Sequence, residues 1–166
     1  MSELKFKGDS INSSGEMPKT GQKAPNFELV KNDLSRVKLS DYDGKNVILN
    51  IFPSIDTGIC AMSVKKFNED AAKLPNTKIV CISKDLPFAH SRFCGAEGIE
   101  NLDMLSSFDD QDFEKNYSLT MTDGPLKGLF ARAIVVVNPN GEIVHTELVD
   151  DIVHEPNYEA AMNAVK

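Results

Sequence analysis

The sequence predicts an α/β fold in which a mixed central β-sheet is flanked by helices and preceded by an N-terminal β-hairpin. Two β-branched, apolar runs at residues 46–52 and 77–83 are each followed by a segment with helical periodicity. Two later runs, 133–137 and 143–149, are joined by turn-forming residues 138–141, which is a strong hairpin signal. Strands that alternate with helices pair in parallel, whereas a hairpin pairs antiparallel, so the sheet is expected to contain both.

Length and composition are those of an ordinary soluble globular protein. The 166 residues, 41% of them hydrophobic and 26% charged, suffice for one domain over residues 1–166. The net charge of −7 and the pI near 4.9 argue against nucleic acid and anionic membranes as partners. No window is apolar enough for a membrane span or a signal peptide, so a cytoplasmic location is expected.

Residues 1–21 are expected to form the hairpin ahead of the main part of the domain. Apolar Leu4, Phe6 and Ile11 alternate with polar residues, as in a strand with one buried face. The segment from Asn12 to Gly15 is rich in turn formers, and we expect the hairpin to reverse there.

The main part of the domain is expected to begin with a strand over residues 24–30, whose return strand includes residues 37–39. A turn at residues 41–44 leads into the strand 46–52, which Pro53 ends because proline cannot donate to a ladder.

A helix is predicted next, from Met62 to Lys73. Its apolar residues Val64, Phe67 and Ala71 recur at helical spacing, so one face of this helix is expected to pack on the sheet.

The strand at 77–83 is a continuous apolar run, as expected of a central parallel strand that is covered on both faces. Cys81 lies within it and is predicted to be a core residue. Pro87 is well placed to begin the following helix, which carries Phe93 and Cys94. The remaining elements are a short strand at 104–106, a short helix at 113–117, the late hairpin and a closing helix at 156–165. This order of elements is that of a thioredoxin-like sandwich.

Cys60 lies where the 46–52 strand gives way to a helix. Near the first turn of a helix, unpaired backbone N–H groups and the positive end of the dipole favour a thiolate over a thiol. The Thr57 hydroxyl, three positions earlier, is placed to donate a hydrogen bond to the sulfur or to a bound oxygen. A buried cysteine that only fills space is the alternative, and position alone does not separate the two.

A second thiol for Cys60 must come from elsewhere, because Thr57 occupies the first position of what would be a Cys-x-x-Cys motif. Cys94 lies 34 positions beyond Cys60, in the helix after the next strand, and a right-handed crossover brings such helices near one another. A disulfide would require local unwinding, since the Cα atoms must come within about 7 Å. Burial of Cys94 beside Phe93 is the alternative.

Arg132 stands in an otherwise apolar stretch from residue 129 to residue 135. A guanidinium group in such surroundings needs an anionic partner, and a thiolate is one such partner. The pattern is equally compatible with a side chain that points to solvent or pairs with a carboxylate.

Together these residues carry a resemblance to a known family. Pro53, Thr57 and Cys60 match the Pro-x-x-x-Thr/Ser-x-x-Cys motif of peroxiredoxins, and Arg132 matches the strand arginine of their active site. Over essentially its whole length the chain resembles the bacterial thiol peroxidase subfamily, most clearly in the segments 53–57, 85–89, 92–98 and 123–129.

The resemblance implies a thioredoxin fold, a homodimer, and reduction of hydrogen peroxide and organic hydroperoxides without a metal, flavin or haem cofactor. Cys60 would be the peroxidatic cysteine and Cys94 the resolving one, forming an intramolecular disulfide that thioredoxin reduces. Arg132 and Thr57 would hold the peroxide, and Pro53 would shield the site.

Two other functions remain as hypotheses. One is a redox-sensing module in which oxidation of Cys60 is signalled to a partner without turnover. The other is a thiol–disulfide oxidoreductase, which the lack of Cys-x-x-Cys disfavours. The three histidines, His90, His145 and His154, do not show zinc-ligand spacing and are expected at the surface or at helix ends.

Overall fold

A computed structural model describes residues 2–166 and places most of the chain's strands in one sheet. The strands are β1 (Glu3–Phe6), β2 (Asp9–Asn12), β3 (Glu28–Lys31), β4 (Arg36–Lys38), β5 (Asn46–Ile51), β6 (Thr77–Ser83), β7 (Asp103–Ser106), β8 (Ala133–Val137) and β9 (Ile143–Leu148). The strand order of the seven-stranded sheet is β4-β3-β7-β6-β5-β8-β9, and β1 and β2 form a separate two-stranded sheet.

The large sheet is mixed, as the sequence predicted. Strand β6 pairs in parallel with both β5 and β7, and the other neighbours in this sheet pair antiparallel. Every residue of β5 after Asn46 is buried, because helices cover both faces of the sheet centre.

The helices are α1 (Gly58–Ala71), α2 (Pro87–Glu97), α3 (Asp112–Tyr117) and α4 (Tyr158–Asn163), with a short 3-10 turn at Leu39–Tyr42. One core cluster joins the sheet to α3 through residues such as Phe113 and Tyr117. A second cluster joins the opposite face to α1, α2 and α4 through Phe67, Phe93 and Ala161. This arrangement is the α/β layering expected of a thioredoxin-like fold. Within residues 2–166 no helix is both long and apolar enough to cross a membrane.

The predicted start of α1 is wrong by four residues. The helix begins at Gly58 instead of Met62, because Thr57 adopts extended backbone angles (φ −94°, ψ 147°) and serves as the N-cap residue. Cys60 is therefore the third residue of the helix, still within its first turn.

The N-terminal hairpin is confirmed, but its reversal is not at residues 12–15. Phe6 pairs with Asp9, so the connection consists of Lys7 and Gly8, whose φ angles are +52° and +88°. Positive φ at both positions is the type I′ geometry that matches the twist of two-residue hairpins. Asn12 instead remains in β2, since the strand continues to pair there.

The hairpin is attached to the end of the sheet that carries β8 and β9. The Asp151 carboxylate accepts hydrogen bonds from the backbone N–H groups of Lys7 (3.1 Å) and Gly8 (2.9 Å). Leu4 and Ile11 pack in a third apolar cluster with Met121, Ala131 and Ile152. The tip of the hairpin is thereby held beside the segments that precede β8 and follow β9.

Gly124 lies against this hairpin, and we predict that Gly124→Ala destabilises the protein. Its φ is +76°, and an added Cβ would lie 2.8 Å from Ile11 Cγ2. Left-handed backbone alone costs a residue with a Cβ about 1–2 kcal/mol, and displacement of Ile11 adds to that. Urea unfolding measures the change. Gly128→Ala is the matched control, because Gly128 has φ +96° but no heavy atom near the added Cβ. Equal losses for the two variants would show that the contact with Ile11 is unimportant.

Candidate active site

Cys60 is buried at the start of α1, where the chain leaves the carboxyl end of β5. Its side chain has no exposed area. The first helical hydrogen bond of α1 runs from the N–H of Ala61 to the carbonyl of Thr57 (3.0 Å). The N–H groups of residues 58–60 precede that bond and have no intrahelical acceptor, so they give this end of the helix its positive character.

Arg132 lies one residue before β8 and faces Cys60. Ala133 pairs with Ile51, and this register brings Arg132 beside the loop that leads to Cys60. The guanidinium Nε and Nη2 donate to the carbonyl of Ile152 (3.1 and 2.8 Å), and Nη2 lies 3.4 Å from Cys60 Sγ. Arg132 is only 1% exposed, so the alternative in which it points to solvent is wrong. The fixed cation is instead directed at the thiol.

A pocket of about 290 Å³ opens beside these groups. Pro53, Thr57 and Arg132 all contribute to its wall, so the structure brings these predicted site residues together. Cys60 is not part of the wall, but Arg132 is in contact with both the pocket and the thiol. The opposite wall includes Phe6 from the hairpin tip, Leu126 and Ile152. The pocket therefore combines apolar walls with two cationic side chains, Arg132 and Lys7.

The Thr57 hydroxyl donates its hydrogen bond to the carbonyl of Ser54 (3.0 Å). In the described part of the chain it makes no hydrogen bond with Cys60. Because a hydroxyl has one proton and two acceptor lone pairs, Thr57 presents an acceptor to the pocket in this arrangement.

The loop from Pro53 to Thr57 is held by Asp85, a residue for which the sequence predicted no role. The Asp85 carboxylate accepts hydrogen bonds from Ser54 Oγ (2.8 Å) and from the Ile55 N–H (2.8 Å). Asp85 follows β6, and the carboxyl ends of parallel β5 and β6 meet at one edge of the sheet. A carboxylate just after a predicted parallel strand could therefore have indicated from the sequence that Asp85 lies beside the site.

His90 lies near the start of α2, one of its two predicted positions, but it is buried, which contradicts a position at the surface. It lies within α2 with no exposed area, and its Nε2 is 2.8 Å from Ser83 Oγ. Burial lowers the pKa of His90 to about 4, against the opposing effect of the nearby Asp85 charge. His154 is exposed, as expected, whereas His145 is half-buried in β9.

The other two cysteines differ in accessibility. Cys81 is fully buried in β6, as predicted, and burial raises the pKa of its thiol to about 12. Cys94 lies on α2, half-buried against the core cluster that contains Cys60 and Phe93, and burial raises the pKa of its thiol as well. All three cysteines are free thiols in the structure.

A buried polar group lies beneath α1 and was also missed from the sequence. Asn50 on β5 donates through Nδ2 to Ser63 Oγ (3.3 Å) and contacts Cys81 Sγ (3.5 Å). Ser63 in turn donates to the carbonyl of Cys60 (2.8 Å). These bonds tie the first turn of α1 to the sheet and help to fix the position of the thiol.

Comparisons with known proteins identify relatives over nearly the whole chain. The Redoxin family model matches residues 19–162. The chain is 49% identical to a thiol peroxidase of Corynebacterium glutamicum and 50% identical to one of Mycobacterium bovis, in each case over 99% of both proteins.

Solved structures give the same picture of the fold. A peroxiredoxin-like protein from Aquifex aeolicus superposes with a TM-score of 0.94 at 33% identity, covering 99% of this chain and 96% of the other. A thiol peroxidase from Chromobacterium violaceum superposes with a TM-score of 0.88 at 20% identity, covering 95% and 91% of the two chains. At that lower identity the likeness supports the fold alone.

Proposed function

The chain belongs to the Redoxin family, and within it to the thiol peroxidases, and on that basis we propose that it reduces hydroperoxides through Cys60 and Cys94. The observation that carries the proposal is the contact between Arg132 Nη2 and Cys60 Sγ (3.4 Å) beside a pocket, at the N-terminal end of a helix. A cation and a helix start both stabilise a thiolate, which is the nucleophile that peroxide reduction requires.

In the first step the Cys60 thiolate attacks one peroxide oxygen in line with the O–O bond. The S–O bond forms, the O–O bond breaks, and the leaving oxygen takes a proton to become water or an alcohol. Arg132 is already oriented by the Ile152 carbonyl, so it stabilises the charge that moves onto the leaving oxygen without reorganising. Thr57 accepts a hydrogen bond from the peroxide O–H, and Pro53 shields the reacting atoms from water.

In the second step the Cys94 thiol attacks the sulfenic sulfur of Cys60. The disulfide forms, and the hydroxyl leaves as water with the proton from Cys94. This condensation removes the sulfenic acid before a second peroxide can oxidise it to the irreversible sulfinic form. Cys81 takes no part, because it is enclosed in the core.

A thioredoxin-type dithiol would reduce the disulfide and complete the cycle. The reduction potential of thioredoxin, about −270 mV, is low enough for it to act as a reductant in the cytosol. We place this chemistry in the cytoplasm, because recycling of the disulfide by a dithiol requires a reducing compartment. The proposal includes a homodimer, as in the family, and sedimentation velocity tests it. It also treats residues 1–166 as one domain, which the packing of the β1–β2 hairpin beside the β8 and β9 end of the sheet supports.

The test is the mass of the protein after one equivalent of tert-butyl hydroperoxide. We expect the reduced native chain to lose two hydrogens and to yield a Cys60–Cys94 peptide pair. We expect Cys94→Ser to gain one oxygen on Cys60 instead, because nothing then resolves the sulfenic acid. Cys81→Ser is the matched control and should behave like the native chain.

A different result would reject the proposal. If Cys60 stayed reduced while peroxide persisted, the chain would not be a peroxidase. If Cys60 were oxidised but thioredoxin supported no turnover, the redox-sensing hypothesis would replace it.

A further inference from the structure

A chain of hydrogen bonds, buried between His90 and Ser83 and partly buried at Asp85, ties α2, which carries Cys94, to the loop that positions Cys60. His90 Nε2 lies 2.8 Å from Ser83 Oγ, and Ser83 Oγ lies 2.6 Å from Asp85 Oδ2. Asp85 then binds the Ile55 N–H of the loop (2.8 Å). We call the His90–Ser83–Asp85 chain the latch.

The direction of each hydrogen bond in the latch follows from the groups present. Ser83 Oγ donates its single proton to the Asp85 carboxylate. His90 must therefore donate from Nε2 to Ser83, and its Nδ1 carries a lone pair. Within residues 2–166 that Nδ1 is buried and without a hydrogen-bond partner. The latch therefore holds α2 through the single bond from His90 Nε2 to Ser83 Oγ. If α2 opened, that bond would be lost and His90 Nδ1 could bind water instead.

The helix must open for Cys94 to react with Cys60. Cys60 on α1 and Cys94 on α2 are both free thiols, and a disulfide would have to bring their Sγ atoms to about 2.05 Å. Cys94 is also held inside α2, since its carbonyl accepts hydrogen bonds from Gly98 N–H and Ile99 N–H. His90 lies one turn earlier on the same helix face, so movement of Cys94 toward Cys60 strains the latch first.

The other polar ties of α2 to this region are exposed. Arg92 pairs with Asp56, and Glu97 pairs with Lys65 (3.0 Å), with side chains that are roughly 40–60% open to solvent. Exposed ion pairs contribute little, because water screens the charges and the long side chains lose entropy. The latch, whose His90–Ser83 bond is buried, is therefore the polar tie that we expect to have the largest effect on the opening of α2.

We propose that His90 is a positioning residue that sets the rate at which Cys94 resolves the Cys60 sulfenic acid. The proposal rests on the two-cysteine cycle given above. In the controlled step the S–S bond forms, the S–O bond breaks, and water leaves with the Cys94 proton. A tighter latch prolongs the life of the sulfenic acid and so raises the fraction that a second peroxide converts to sulfinic acid.

The test compares His90→Leu, which cannot donate, with His90→Gln, whose amide can donate to Ser83 from about the same place. Stopped-flow after a single peroxide pulse separates the oxidation of Cys60 from disulfide formation. For His90→Leu we expect disulfide formation to be roughly three- to ten-fold faster, the value of one neutral hydrogen bond. Its rate of Cys60 oxidation should be unchanged and its sulfinic fraction at excess peroxide lower. His90→Gln should match the native chain.

Two further variants complete the design. Ser83→Ala removes both the bond to His90 and the bond to Asp85, so it should also accelerate disulfide formation and tests the latch if His90→Leu does not fold. Glu97→Gln removes an exposed tie of the same helix and should change the rate less than about two-fold.

Unaltered disulfide formation in both His90→Leu and Ser83→Ala would overturn the proposal, as would acceleration by His90→Gln equal to that of His90→Leu. If the native chain itself formed no Cys60–Cys94 disulfide, the two-cysteine cycle would fail and the latch with it. The two failures are distinguishable, because failure of the two-cysteine cycle is seen in the native chain and failure of the latch only in the variants.

Discussion

Arg132→Met is expected to slow the reaction of Cys60 with tert-butyl hydroperoxide by roughly 10²- to 10³-fold, the usual loss for one preorganised donor. The reason is geometric. Nη2 of Arg132 contacts Cys60 Sγ while two bonds to the Ile152 carbonyl fix the plane of the guanidinium. Methionine fills a similar volume but supplies neither the charge nor the donors. The measurement is the second-order rate constant for Cys60 oxidation by stopped-flow.

Arg132→Lys is the matched variant. Lysine keeps the positive charge but lacks the planar fork that binds the carbonyl and the sulfur together, so we expect an intermediate rate. Far-UV circular dichroism shows whether each variant keeps its fold. A folded Arg132→Met that reacts at the native rate would contradict the role of Arg132 in stabilising the transition state. It would favour thiol–disulfide exchange, for which such a donor is not needed.

The second large effect is a loss of stability in mild acid because of His90. The folded pKa of His90 is about 4, against 6.5 for an unperturbed histidine. The unfolded chain therefore binds the proton first, and the free energy of unfolding falls as the pH drops from 6.5 toward 4. For these pKa values the loss is about 2 kcal/mol at pH 5 and about 3 kcal/mol at pH 4.

Urea unfolding at pH 7 and pH 5 measures this loss in the native chain and in His90→Gln. Glutamine does not titrate, so the two proteins share the contribution of their carboxylates and differ in that of His90. Asp85, at 3.9 Å, and Asp56 are the charged groups that act on His90, and both raise its pKa against the effect of burial. Equal losses in the two proteins would show that His90 does not titrate as described.

Local patterns in the sequence were sufficient for most of the sheet. The runs that became β5, β6 and β8 are β-branched and almost wholly buried, and such runs form central strands wherever both faces are covered. The motif of Pro53, Thr57 and Cys60 was also readable, because its spacing is set by one loop and the first turn of one helix.

Two local predictions failed where backbone geometry depends on the pairing partner. The sequence at 12–15 favours a turn, but those residues lie too late for the register in which Leu4 pairs with Ile11. That register requires reversal at Lys7 and Gly8. In the same way, α1 extends back to Gly58, since the end of β5 and the loop after Pro53 already direct the chain into the helix.

The amino-acid sequence by itself thus determined the order of elements, the mixed sheet and the placement of a cysteine at a helix start. Tertiary structure alone decided that Arg132 faces Cys60 and that His90 is buried against Ser83. The physical reason is range. Strand and helix patterns arise from contacts within a few residues, whereas the partner of a buried polar side chain is chosen by sheet pairing and helix packing. A buried arginine in an apolar stretch must be satisfied by some group, and only the assembled fold decides which.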